Sequence, residues 1–267
     1  MLENKITFSA AGLYVDLKED HPEPMKLNLP SWYKNLIKET NDFKGLKSCM
    51  PFLDTLTTGY TLKLPQDLIL IKDKIVQVDN SETDEYKYTN IIHGMEVGPK
   101  KDFNLNTNAI PQTHPFKQIE NSYIPYLNKS DMVYKLLNPW HIQTPPGYSC
   151  LFLPPLNREN KYFSIIPGIV DTDEYQSIIN FPIILKQVND EPIDVTIWKG
   201  TPYVQVIPFK REKWKAEIKK LSERNLKQRW LRVGLTFKHL YKKLNWAKKG
   251  HFWRWWNMFV YLMMFLN

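Results

Sequence analysis

Apolar and polar residues alternate at period two from Tyr60 to Leu64, and Leu68–Ile71 and Ile75–Val78 are apolar runs of β type split by Lys72-Asp73-Lys74. Alternation of this kind puts every second side chain on one face of a strand. Two such runs around a short polar break predict a hairpin. Residues 1–45 read as a leader: Phe8–Leu17 predicts a short strand, and Pro30 fixes the entry to a short helix whose free N–H groups Ser31 can cap. Residues 79–132 are polar, rich in Asn and Pro and poorly periodic, and predict an irregular insertion with a few short strands. Residues 133–209 form the strand-rich block. From Glu212 to Lys248 the period changes. Trp214, Ile218 and Leu221 recur at helical spacing, as do Leu226, Trp230, Val233, Phe237, Leu240 and Leu244. The five-residue step between the two sets shifts the apolar face, which predicts two amphipathic helices or one with a kink. The expected organisation is a leader (1–45), a mainly β core (46–209, with the insertion at about 79–132) and a helical tail (210–267).

Composition narrows this picture. A chain of 267 residues suits one domain of medium size plus appendages. Nineteen Pro against ten Gly suits a β-rich, loop-heavy protein. Cys49 and Cys150 are the two cysteines, too few for a disulfide framework and without a C-x-x-C for zinc, so a reduced, cytoplasmic setting is expected. The opening MLENKITFSAAGLYVDL does not read as a signal peptide. Charge is unevenly placed. Residues 210–249 hold fifteen Lys/Arg against three Asp/Glu, a balance of +12; with Arg254 also counted, the total of +8 leaves residues 1–209 at −5. Any polyanionic partner is therefore a matter for the tail. The last residues, HFWRWWNMFVYLMMFLN, have about a dozen uninterrupted apolar positions where a bilayer span needs ~20. So many aromatic side chains are expected to dock on the protein itself, on another subunit or on a membrane interface.

Three marks follow one another between Thr144 and Phe209. They are the turn Pro145-Pro146-Gly147-Tyr148, the loop Gly168-Ile169-Val170-Asp171-Thr172-Asp173-Glu174-Tyr175, and Lys199-Gly200 leading into Val204-Gln205-Val206-Ile207. In this order and spacing they resemble the dUTPase / dCTP deaminase superfamily, the β-clip fold. The resemblance implies a β-clip core, a homotrimer with sites between subunits, and Mg²⁺ if the chain is enzymatic. It also implies ligand contacts from Gly59, Tyr60, Asn157, Arg158, Gly168, Asp173, Tyr175 and Gln205, with Asp171 as the carboxylate that positions attacking water. Departures accompany the matches. Thr61 stands where the family has an acid after Gly-Tyr. Pro154-Pro155-Leu156-Asn157 stands where it has P-R-S-S, leaving Asn157 and Arg158 as the polar groups. Pro202 takes the place of an arginine, Tyr175 comes one residue late, and the glycine-rich closing motif is replaced by the basic segment. Hydrolysis of a nucleoside triphosphate needs cations or N–H donors converging on the growing charge, and each lost donor costs about 2–4 kcal/mol of transition-state stabilisation. The loop around Asp171 also has a purely structural reading, since Gly allows positive φ and Asp side chains bond their own backbone.

Residues 29–215 further resemble an uncharacterised family of proteins from tailed phages and bacteria. The resemblance is carried by Leu29-Pro30-Ser31-Trp32, Cys49-Met50-Pro51-Phe52, Gly59-Tyr60, Asn138-Pro139-Trp140, Thr144–Ser149, Val170–Asp173 and Pro208-Phe209-Lys210-Arg211-Glu212. It brings no activity with it, and implies host cytoplasm or virion as the location. The six histidines lack the spacing of a zinc or non-haem iron site, so no metal is expected, and no P-loop, dinucleotide fingerprint or nucleophile elbow is present. The leading expectation is a non-catalytic accessory or structural β-clip protein with a vestigial nucleotide-like pocket. A Mg²⁺-dependent nucleotide pyrophosphatase acting through Asp171 is the first alternative. The second is a nucleic-acid or membrane-surface module acting through Lys213, Lys219, Lys220, Arg224, Lys227, Arg229 and Arg232. Against that module stands a solvated helix that packs Trp214, Ile218 and Leu221 on the sheet.

Overall fold

The computed structural model describes residues 4–10, 13–36, 45–71, 74–79, 87–89, 112–115, 132–158, 160–186, 194–227 and 246–247. Among them fifteen strands follow in chain order. They are β1 (Thr7–Ser9), β2 (Glu23–Pro24), β3 (Tyr60–Lys63), β4 (Leu68–Ile71), β5 (Lys74–Asp79), β6 (Lys87–Thr89), β7 (Gln112–Pro115), β8 (Met132–Leu136), β9 (His141–Gln143), β10 (Tyr148–Leu153), β11 (Phe163–Ile165), β12 (Gly168–Val170), β13 (Phe181–Leu185), β14 (Val195–Ile197) and β15 (Pro202–Lys210). The protein is mainly β, and its described strand pairs are all antiparallel. They make a pair β1-β9, a five-stranded sheet in the order β12-β10-β15-β3-β2, and two four-stranded sheets, β11-β13-β8-β7 and β14-β4-β5-β6.

The hairpin expected around Lys72-Asp73-Lys74 is present as β4-β5, with Ile71 opposite Lys74. The alternation at Tyr60–Leu64 is β3, in which Thr61 and Leu62 are both buried. β15 lies in the middle of its sheet, and Tyr203, Val204, Gln205 and Val206 are all fully covered. A strand enclosed on both faces needs consecutive buried residues, not alternating ones, and Tyr203–Val206 supplies them. Around it, Leu62, Leu70, Ile142, Phe152, Phe163 and Ile183 close a continuous apolar core. Phe181 meets Phe152 and Tyr203 at ring-centroid distances of 5.5 and 5.8 Å.

The chain divides into two compact units, Met1–Lys34 with Thr55–Trp214, and Asn35–Asp54 with Lys215–Asn267. The division differs from the three parts read along the sequence, because leader residues as far as Lys34 group with the strands. Polar ties account for that. Lys199 Nζ pairs with the buried Asp20 carboxylate at 2.9 Å, and Lys63 Nζ reaches the Glu19 carbonyl at 2.9 Å and Glu23 at 3.3 Å. Phe8–Leu17, read as a strand, is instead β1 followed by a helix at Leu13–Asp16. The short helix is present at Ser31–Asn35, but Ser31, expected to cap it, is its first residue, and the Pro30 carbonyl accepts the Tyr33 and Lys34 N–H groups at 3.1 Å.

Two helical features depart from the sequence reading. Met50–Thr57 is a helix that the pattern did not announce; Pro51 lies in its first turn, where a missing N–H costs nothing. Conversely, residues 211–222 have no regular structure, and among the described residues of the tail helix appears at 223–227. Trp214, Ile218 and Leu221 do not pack on a sheet: they are 86%, 100% and 47% exposed. The remainder of the expected helical tail lies outside the described residues, apart from Trp246 and Ala247. In the second unit the Trp246 indole N–H faces the Asp54 carboxylate at 3.2 and 3.3 Å.

Candidate functional site

Strand β10 carries a cluster of polar side chains near each end. The first begins with the Pro145–Tyr148 turn. The Tyr148 N–H closes on the Pro145 carbonyl at 3.2 Å, and Gly147 takes φ +85°, the left-handed conformation that a type II turn demands at its third position. The turn brings the Gly147 N–H to Asp173 Oδ2 at 2.7 Å. On the next strand, β12 pairs with β10 so that Val170 lies opposite Cys150, and the loop that follows places Asp171 beside Ser149. Ser149 Oγ donates to Asp171 Oδ1 at 2.6 Å.

Arg211, one residue beyond β15, closes the cluster. Its backbone N–H bonds the Gly147 carbonyl at 2.9 Å. One guanidinium nitrogen donates to the Tyr148 carbonyl at 3.1 Å, to Ser149 Oγ at 3.0 Å and to Asp173 Oδ1 at 2.7 Å; the other reaches Asp173 Oδ2 at 2.5 Å. Asp171 Oδ1 lies 3.3 Å from the same arginine. A two-pronged guanidinium–carboxylate contact is the strongest ordinary ion-pair geometry. The Arg211 hydrogen bond, with the Gly147 N–H, holds the Asp173 carboxyl down to about 2. The Asp173 side chain is only 3% exposed, whereas Asp171 is 60% exposed. Between them Thr172 turns inward, fully buried. Its hydroxyl shares a 2.7 Å hydrogen bond with Thr144 and lies 3.4 Å from the Cys150 sulfur. Burial pushes the Cys150 thiol up. Tyr175 contributes its backbone N–H to the Asp171 carbonyl at 2.9 Å, and its ring is exposed.

The second cluster centres on Gln205, whose side chain is fully buried. Its carbonyl accepts the Leu156 N–H at 2.9 Å, and its amide donates to the Thr55 and Thr58 carbonyls at 3.1 and 2.8 Å. The amide thus fixes the 154–158 turn and the residues before β3 to one point of β15. Asn157 sits at φ 58°, a conformation asparagine tolerates better than most residues, and its side chain bonds the Thr55 hydroxyl at 2.6 Å. The Arg158 guanidinium bonds the Asn28 carbonyl and is pushed down by burial, with Glu23 opposing that shift. Gly59 (φ +76°) lies against β15: a Cβ there would meet the Val206 carbonyl oxygen at 2.1 Å. Tyr60 packs on Phe8 at 5.3 Å.

The residues singled out from the sequence therefore fall into two groups. Asp171, Asp173 and Tyr175 gather near Tyr148, whereas Gly59, Tyr60, Asn157, Arg158 and Gln205 gather near Leu153. Ser149 pairs with Phe209 and Leu153 with Gln205. Four residues of strand separate those pairs, about 13 Å. Gly168 belongs to neither group: it is an ordinary strand residue of β12 with open space where a Cβ would stand, so no turn depends on it. Lys213, Lys219, Lys220, Arg224 and Lys227 are exposed, and Arg229 and Arg232 lie outside the described residues. Ser149, Thr144 and Arg211 were not singled out as site residues, although they stand within Thr144–Ser149 and Pro208–Glu212, segments already marked in the sequence. The signal was there, but only the fold reveals that Arg211 returns to the turn at Gly147.

Chemically, the first cluster is closed. Among the described residues Arg211 is the one cation in ion-pair contact with either aspartate, and Asp173 already holds it. Two carboxylates and one guanidinium leave a net negative charge, which repels a phosphate instead of cradling it. Among the described residues no three or more His, Cys, Asp or Glu are placed together to hold a metal ion. No protein-family model matches this chain, and no curated protein matches it.

Proposed function

We propose that this chain is a non-catalytic accessory or structural module, built on a dUTPase-like β-clip core, in which the Asp171–Asp173 loop is a structural latch. The observation that supports this reading most is the double contact of Arg211 with Asp173, completed by the Gly147 N–H. A carboxylate held this way, by three hydrogen bonds on its two oxygens, ties the Gly147 turn and Arg211 to the Asp171–Asp173 loop and is already neutralised by the guanidinium. Self-association is part of the reading. Supporting it, β12 is a sheet edge with Ile169 63% exposed, and Tyr175 and Ile178 beyond it are also exposed.

One observation favours the second reading, a Mg²⁺-dependent nucleotide pyrophosphatase. Asp171 is exposed and receives a serine hydroxyl, and the separation of the two clusters along β10 is what a site completed by another subunit requires. Turnover decides between them. With dUTP or dCTP and Mg²⁺ the structural reading expects pyrophosphate release at background, unaltered by Asp171→Asn. Robust release that disappears with Asp171→Asn selects the enzyme. Light scattering after size exclusion tests self-association, for which a trimer is expected; a monodisperse 31.7 kDa species at micromolar concentration contradicts it.

A further inference from the structure

Beyond β15 the chain becomes an exposed arm. Residues 211–222 carry no regular structure, and every residue from 210 to 227 is exposed. Trp214, Ile218 and Leu221 are among them, the isoleucine completely. Side chains of this kind are normally buried, so three in succession without cover mark a contact surface. Their spacing shows which backbone the contact would use. Steps of four and three residues share one face only in a helix, where the three side chains span about 60°. In that helix Lys213, Lys215, Lys219, Lys220, Arg224 and Lys227 all lie at least about 60° outside the stripe and flank it on both sides, while Glu217 lies about 40° from its edge and Asn225 falls within it. Segment 212–227 carries six basic and three acidic residues, a balance of +3. Its internal ion pair, Lys219 with Glu217 at 2.9 Å, is exposed and stabilises little. Helix nucleation is costly, and the free arm gains no burial to offset it; only 223–227 is helical.

We propose that segment 212–227 binds anionic bilayer surfaces and becomes helical when it does so. Trp214, Ile218 and Leu221 enter the boundary between headgroups and acyl chains. The flanking lysines lay their aliphatic stems along that boundary and place their ammonium groups on lipid phosphates. A narrow apolar stripe between cationic flanks is the pattern such a surface selects. Single-stranded nucleic acid selects another, with aromatic rings and cations presented together along one groove. Here the helix would separate Trp214 from the lysines. This inference stands independently of how the Asp171 loop is read.

The test uses the full chain and two vesicle compositions, phosphatidylcholine alone and phosphatidylcholine with phosphatidylglycerol, in flotation assays at low and physiological salt, with far-ultraviolet circular dichroism. Ile218→Glu is the informative variant, because its side chain is fully exposed, so that the change is expected to leave the β unit's melting unaltered. The parent is expected to float with anionic vesicles at least tenfold more strongly than with neutral ones, to gain helicity on binding and to lose affinity as salt rises. Ile218→Glu is expected to lose at least tenfold in anionic-vesicle affinity, and Lys219→Glu with Lys220→Glu a similar amount. Equal vesicle binding by parent and Ile218→Glu overturns the proposal. So does parent binding that ignores lipid charge, or DNA binding without vesicle binding. If Ile218→Glu instead lowers the oligomeric mass while the parent ignores vesicles, the arm's partner is a second copy of this chain, and the proposal is likewise overturned.

Discussion

Gly59 and Gly168 both entered as site residues on the same resemblance, yet the physics at the two positions is opposite. At Gly59 the positive φ and the approach of Val206 leave no room for a methyl group, and its carbonyl also accepts the Met25 N–H at 3.0 Å. Gly59→Ala should destabilise by about 3 kcal/mol, through backbone strain and the displaced β15 carbonyl together. Gly168→Ala should change stability by no more than about 0.5 kcal/mol, as an exposed position with open space. Urea unfolding of the two variants checks both. Asp173 supplies a pH signature. Its carboxyl is held at about 2, below the ordinary value of 3.8, so its contribution is complete above pH 4 and is lost as pH falls through 2. Acid titration of the melting temperature should therefore show a steeper decline between pH 4 and 2 in the parent than in Asp173→Asn. Equal slopes would remove the latch from the account.

At the scale of elements, legibility followed the kind of signal each segment carries. The β4-β5 hairpin was readable because two apolar runs around a polar break leave few alternatives. β15 was marked only through the resemblance carried by Lys199-Gly200 and Val204-Gln205-Val206-Ile207, because Gln205 interrupts its apolar run. The helix at Met50–Thr57 was not, since eight residues give barely two turns, too short for a period to emerge from Met-Pro-Phe-Leu. The arm at 211–222 shows the reverse. Its spacing is helical, yet most helical stability comes from packing an apolar face, and here that face is bare. The candidate site was half legible. Its carboxylates and turn glycine stood in recognisable order, but the partners that define their role, Ser149 and Arg211, lie 22 and 38 residues from Asp171 and Asp173 respectively, and meet them only through strand pairing.

For the whole molecule, the division into two units changes what the tail is expected to do. Residues 35–54 do not belong with the strands that flank them in sequence; they group with residues 215–267, and Trp246 on Asp54 is one visible tie. Removal of residues 215–267 should leave the β unit folded while 35–54 loses its protection. Hydrogen exchange should then rise across 45–54 and stay unchanged in β10 and β15. Unfolding of β10 and β15 in the truncated chain would show that the β unit does not stand alone.

The central claim is that the Asp171–Asp173 loop serves to hold the fold, with Arg211 as its counterpart. The most direct measurement is a double-mutant cycle on urea stability with Asp173→Asn, Arg211→Gln and the pair together. A latch predicts that each single change destabilises and that the double variant is no less stable than the weaker single, because either change alone already breaks the contact. Single changes that leave stability untouched, or losses that simply add, would contradict the account.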